Sequence, residues 1–128
     1  LELVASASAR LLAHSGIPHK VPDAVLELLV QTFRDLRAEG GKKTSMDTLN
    51  AIMSTAEAVN VAHAVGVRAW FLAARAGEPA DLVDCIAGTI VKDNEDDRAR
   101  LRRYFEQRVG THKEAHWQAY YQARHRLP

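Results

Sequence analysis

Residues 54–75 are apolar on almost every side, and few folds can accommodate such a stretch. Val59, Val61, Ala62, Val65, Val67, Trp70, Phe71 and Leu72 leave Glu57, Asn60, His63 and Arg68 as its main polar positions. A helix with one apolar stripe lies on a bundle, whereas a helix apolar on most sides lies inside one. The chain must therefore supply neighbours for this helix, and its remaining pattern does so. Residues 3–14 read as a small-residue helix, ended by Gly16 and barred from continuing by Ile17-Pro18. Residues 22–38 repeat Leu26, Leu29, Phe33 and Leu36 at intervals that share one helical face. Pro22 fits the first helical position there, and Asp23 suits the positive helix end.

After the central helix, Gly77 is a stop and Pro79 an opening. Residues 79–91 carry Leu82, Cys85, Ile86 and Ile90 on one face. Residues 94–109 begin with acids, continue with arginines, and bury Leu101, Tyr104, Phe105 and Val109. Thr111-His112-Lys113-Glu114 has the capping-box pattern and opens a last helix with Trp117, Tyr120 and Tyr121. A short helical turn is expected at 46–52, after a Gly-Lys-Lys-Thr-Ser loop at 41–45. The expectation is an all-α bundle of about six helices around the helix at 54–75, forming one domain over 1–128. The terminal piece at 111–128 is left open between capping the core and serving as an interface.

Composition narrows the class. An apolar share of 47% is ordinary for a globular chain, and a net charge of +1 gives no overall drive toward nucleic acid or membrane. Charge is uneven, however. From Arg98 onward Arg98, Arg100, Arg102, Arg103, Arg108, Lys113, Arg124 and Arg126 face only Glu106 and Glu114. The single cysteine, Cys85, cannot form an internal disulfide, which points to a reducing compartment and a cytoplasmic setting. Its apolar surroundings favour an inert thiol. No signal peptide or membrane-length apolar run is expected. The absence of an initial Met suggests a piece of something longer.

The chemistry-bearing patterns are sparse. Gly40-Gly41-Lys42-Lys43-Thr44 lacks the Gly-x-x-x-x-Gly-Lys spacing and the preceding strand of a phosphate-gripping P-loop. No strand ends in paired acids to hold Mg²⁺. His112 and His116, four apart, could share a metal, but His-Lys-Glu-Ala-His is not a zinc-protease string and no third ligand is apparent in sequence. The expected metal set is therefore none, and no catalytic residue is expected. The arginines of 98–108 are interrupted by acids and read as a solvated face, which makes nucleic acid an improbable partner.

Three stretches in order resemble the region that follows the nucleotide-binding core in MoxR-like AAA+ ATPases. They are Val21-Pro22-Asp23-Ala24-Val25-Leu26-Glu27-Leu28-Leu29-Val30 with Phe33-Arg34-Asp35-Leu36-Arg37; Ser54-Thr55-Ala56-Glu57-Ala58-Val59; and Ile86-Ala87-Gly88-Thr89-Ile90-Val91-Lys92-Asp93 with Asp96-Asp97-Arg98 and Tyr104-Phe105-Glu106. The resemblance implies the helical lid of a ring-forming, chaperone-like ATPase that remodels other proteins. Its ATP and Mg²⁺ would be held by an upstream core, with adjacent subunits and, in many family members, a von Willebrand A domain protein as partners. It further implies that Ser54, Thr55, Glu57 and Arg68 lie near nucleotide. Where many AAA+ lids carry a phosphate-sensing arginine, this sequence has Ala56, with the anionic Glu57 beside it. The plain reading of Ser54 and Glu57 is a capping box, and that of Arg68 is a surface cation with an acid partner. By this reading the chain alone hydrolyses no ATP. Two alternatives remain: a free-standing helical protein-interaction module, and a DNA-binding domain in which 46–52 and 54–68 imitate a helix-turn-helix. The second is disfavoured because its recognition helix would be too apolar for a groove.

Overall fold

A computed structural model of the chain describes residues 2–40, 55–90 and 95–128, the side chains of 37–40 and 90 apart. Among the described residues six α-helices follow one another: α1 (Glu2–His14), α2 (Asp23–Gly40), α3 (Thr55–Ala73), α4 (Pro79–Ile90), α5 (Glu95–Gln107) and α6 (Ala115–Gln122). Two 3₁₀ turns, Val109–Thr111 and Ala123–Arg126, flank α6. There is no strand among the described residues, so the all-α bundle expected from the periodicity is the observed architecture. The turn at 46–52, the 41–45 loop and Ser54 lie outside the described residues.

The helix ends follow local chemistry. Gly16 takes a left-handed φ of 76°. Its N–H bonds Ala13 O, and that of Ile17 bonds Leu12 O. This is a Schellman stop, with Leu12 and Ile17 both buried beside it. At the start of α2 the Pro22 carbonyl accepts from Val25 and Leu26, so Pro22 caps the helix one position before the slot expected for it. The sequence places the stop of α3 at Gly77, but the helix ends earlier, at Ala73, and Ala74 follows it. That residue has a φ of 51° and donates its N–H to Trp70 O. Ala74 thus occupies the left-handed position that glycine usually fills. At the start of α4 the Asp81 carboxylate accepts the Glu78 N–H at 2.8 Å and the Arg75 guanidinium at 2.7 Å. That pair holds Arg75 above its ordinary range.

The capping box expected at Thr111 does not form. Thr111 ends a 3₁₀ turn and its hydroxyl donates to Arg108 O at 2.7 Å. The last helix begins at Ala115, with Glu114 as a cap residue that makes no side-chain capping bond. A Thr hydroxyl that can reach back to a carbonyl three residues earlier competes with the forward cap.

Helix α3 lies between α1 and α4. It turns Ala58, Val61, Ala62, Val65, Gly66 and Ala69 inward, one small or branched residue per contact. α1 answers with Val4, Ser8 and Leu12. A Cβ at Gly66 would stand 2.6 Å from a Leu12 methyl, so the missing side chain sets how closely these helices approach. The apolar surround of α3 is incomplete at its C-terminal end, where Phe71 and Leu72 are 74% and 69% exposed.

On the other side, α4 buries Leu82, Val83 and Ile86, and α5 buries Leu101, Tyr104 and Phe105. Trp117 and Tyr120 of α6 are fully enclosed, with the Tyr120 ring 4.6 Å from that of Phe105 and the Trp117 ring 6.0 Å from that of Tyr120. The choice left open for the terminal helix is thereby decided for these two residues: they close the core. Tyr121 sits at the rim beneath the Arg124 guanidinium, 3.9 Å from the ring centre.

The core holds polar groups and satisfies them. Thr32 donates to Leu28 O at 2.7 Å, so its single proton is used, and the Tyr120 hydroxyl at 2.9 Å must be donor to Thr32 Oγ1. Tyr104 donates to Asp35 at 2.8 Å, and the same carboxylate receives Gln31 at 2.9 Å and Arg108 at 3.3 Å. Burial pushes both phenols well above their ordinary range, and for Tyr104 the bond to Asp35 adds to the shift.

Candidate functional site

The first turn of α3 begins at Thr55, an exposed residue, followed by the equally exposed Ala56 and the half-buried Glu57. Free backbone N–H groups give such a terminus partial positive charge, which favours an anion. Glu57 supplies that negative charge itself, and the place for a phosphate-seeking cation holds Ala56. The residues present therefore do not fit a triphosphate as direct ligands. Glu57, Asn60, Val61 and Ala64 of α3 and Cys85 and Thr89 of α4 line a shallow groove of about 180 Å³ between the two helices. Burial is the main cause that raises the Cys85 thiol to about 11, so the groove contains no thiolate near neutrality.

Arg68 shares the polar side of α3 with Glu57 but lies three turns away, roughly 16 Å along the axis. Its guanidinium pairs with Asp84 of α4 at 3.1 Å. Asp84 also receives Arg126 from the C-terminal turn at 2.7 Å. Thr55 and Glu57 thus share one helix end, while Arg68 belongs to an inter-element clamp.

The basic stretch at 98–108 is tied down in the same manner. Arg98 pairs with Glu95 at 3.5 Å, Arg100 donates to Leu36 O at 2.6 Å, Arg102 to Pro128 O, and Arg108 pairs with Asp35. Arg98 is paired within α5, whereas Arg100, Arg102 and Arg108 reach across to other parts of the chain, so the stretch is no uniform patch.

The spacing of His112 and His116 would let both reach one metal on a helix, a reading set aside in favour of none, and the structure separates the two rings. His112 precedes α6 and stacks on the Trp117 ring at 3.9 Å and 11°. His116, inside α6, turns instead toward Glu27 of α2, 3.4 Å away, and Glu114, 3.9 Å away. Sequence reasoning could not find Glu27, because only tertiary packing brings it to His116. Among the described residues no helix is long and apolar enough to cross a membrane.

The fold and these sites define an all-helical bundle with several of its charged residues paired between its own elements. All of residues 1–128 match the family described as the YehL-like AAA+ ATPase C-terminal domain, and the chain belongs to that family. It is 94% identical over 128 residues to the YehL protein of Escherichia coli (strain K12), covering 100% of this chain and 35% of that protein. The chain thus spans about a third of the length of this relative. No solved structure matches.

Proposed function

We propose that this chain is the lid of a MoxR-like AAA+ ATPase, a chaperone-like machine that uses ATP to remodel other proteins. On this reading, ATP and Mg²⁺ are bound by an ATPase core elsewhere in the polypeptide, and the lid packs on that core and on the adjacent subunit of a cytoplasmic ring. A von Willebrand A domain protein is the expected partner type. The first turn of α3, with Thr55 and Glu57 beside Ser54, faces the nucleotide side without an arginine of its own, and Arg68 fixes the lid internally. Membership of an AAA+ C-terminal family and the three stretches resembling MoxR-like lids support this reading.

The observation that carries it is the apolar surface left on α1 and α3. Leu3 and Leu11 of α1 are 66% and 41% exposed, on a helix that already buries Val4 and Leu12, and Phe71 and Leu72 of the packed partner α3 are exposed as well. A bundle that closes its core elsewhere and leaves four large apolar side chains in water on one helix pair has surface reserved for another body. The test is ATP turnover and assembly of the full-length protein carrying Phe71→Ser and Leu72→Ser. These exposed positions should leave the helix content unchanged, while turnover and subunit association fall severalfold. Unchanged turnover and association, or ATP hydrolysis by the 128-residue chain alone, would overturn the reading.

A further inference from the structure

We propose that Glu27, Glu114 and His116 form a divalent transition-metal site, of the kind zinc occupies, that staples the start of α6 to α2. Three observations support it. First, Nε2 of His116 and one carboxylate oxygen each of Glu27 and Glu114 lie within 4.8 Å of one another, the histidine being 3.4 Å and 3.9 Å from the two acids. Ligand atoms about 2.0–2.1 Å from a tetrahedral zinc stand roughly 3.4 Å apart, so the histidine separations are already near coordination edges. Small rotations of the two glutamates, both at the surface, complete the set.

Second, Nε2 of His116 is buried yet makes no hydrogen bond. A ring nitrogen lying between two carboxylates, 3.4 Å and 3.9 Å away, without a hydrogen bond to either has the geometry of a metal ligand. Third, the donors come from elements remote in sequence, α2 and the cap and second residue of α6, so an ion there would bridge two parts of the fold instead of decorating one helix. One imidazole with two carboxylates is a borderline donor set that suits Zn²⁺ or Co²⁺ better than the all-oxygen environment Ca²⁺ and Mg²⁺ prefer, and it leaves a fourth position for water. His112 is outside the set, because its ring is held against Trp117.

Trp117 provides a built-in reporter, its ring being 6.2 Å from that of His116. The experiment titrates the chain with Zn²⁺ by calorimetry and with Co²⁺ by absorption and tryptophan emission. Saturable uptake of one ion per chain is expected, with quenching by Co²⁺ and a visible absorption band of tetrahedral type. Glu27→Gln, Glu114→Gln and His116→Gln should each weaken affinity by more than roughly tenfold, the loss that even an outer-shell partner's removal can bring. His112→Gln should leave uptake unchanged. The two glutamates are exposed, so their variants test the site without disturbing the core. Absence of saturable uptake by the parent chain would mean that the histidine simply packs between two acids, and would overturn the proposal. So would undiminished uptake by the Glu27 and His116 variants.

Discussion

Single atoms decide several features of this bundle. The hydrogen in place of a side chain at Gly66 lets Leu12 of α1 sit directly on α3, and the Ala74 backbone makes a turn that L-residues adopt at a cost of about 1 kcal/mol. Cys85 shows how environment sets reactivity at this scale. Its thiol, raised to about 11 chiefly by burial, holds about 100-fold less thiolate at neutral pH than a free thiol of 9.0. Alkylation by iodoacetamide followed against pH should therefore rise with an apparent midpoint near 11, whereas a midpoint near 9 would show that the groove is wetter than the structure has it. The folded state holds this proton more tightly than the unfolded chain, so the thiol's contribution to stability is full below about 9 and is lost as pH climbs toward 11.

At the level of elements, α2, α5 and α6 are joined by hydroxyls as well as by apolar faces. Tyr104→Phe removes the O–H that Asp35 receives inside the core while leaving the ring's packing intact. It should cost about 1–3 kcal/mol, read as a lower midpoint in urea, since among the described residues the buried carboxylate then keeps Gln31 and Arg108. Unaltered stability would mean that water replaces the lost donor. Most of this layer was legible in the sequence, because the 3.6-residue rhythm of Leu26, Leu29, Phe33 and Leu36, and of Leu101, Tyr104 and Phe105, reports burial directly. The helix ends were less legible. Nothing local distinguishes Ala74 from any other alanine, and Thr111 satisfied a pattern whose hydroxyl in fact turned backward to Arg108. The partners of Asp35, Asp84 and His116 were illegible for a different reason: Tyr104, Arg126 and Glu27 meet them only through packing, and spacing along the chain carries no record of that. Ala56, where the resemblance would place an arginine, is legible directly, and the exposed Phe71 and Leu72 were hidden by the same apolarity that marked their helix as internal.

Across the whole molecule, Asp84 holds together parts that are far apart in the chain. Each pair it makes is with a guanidinium about two-fifths exposed, so each alone contributes at most about 1 kcal/mol. Arg68→Ala and Arg126→Ala should therefore be mild singly. Asp84→Asn should cost more than either, because it weakens both pairs at once. Amide hydrogen exchange over residues 123–126 is the readout. Faster exchange in the Asp84 variant than in the Arg126 variant is expected, and equal rates would show the two pairs to be independent. Because a single Asp84 oxygen meets Arg68 of α3 and Arg126 of the tail, both cations must come within reach of one atom, so the final turn takes its place by reference to a helix it does not adjoin in sequence.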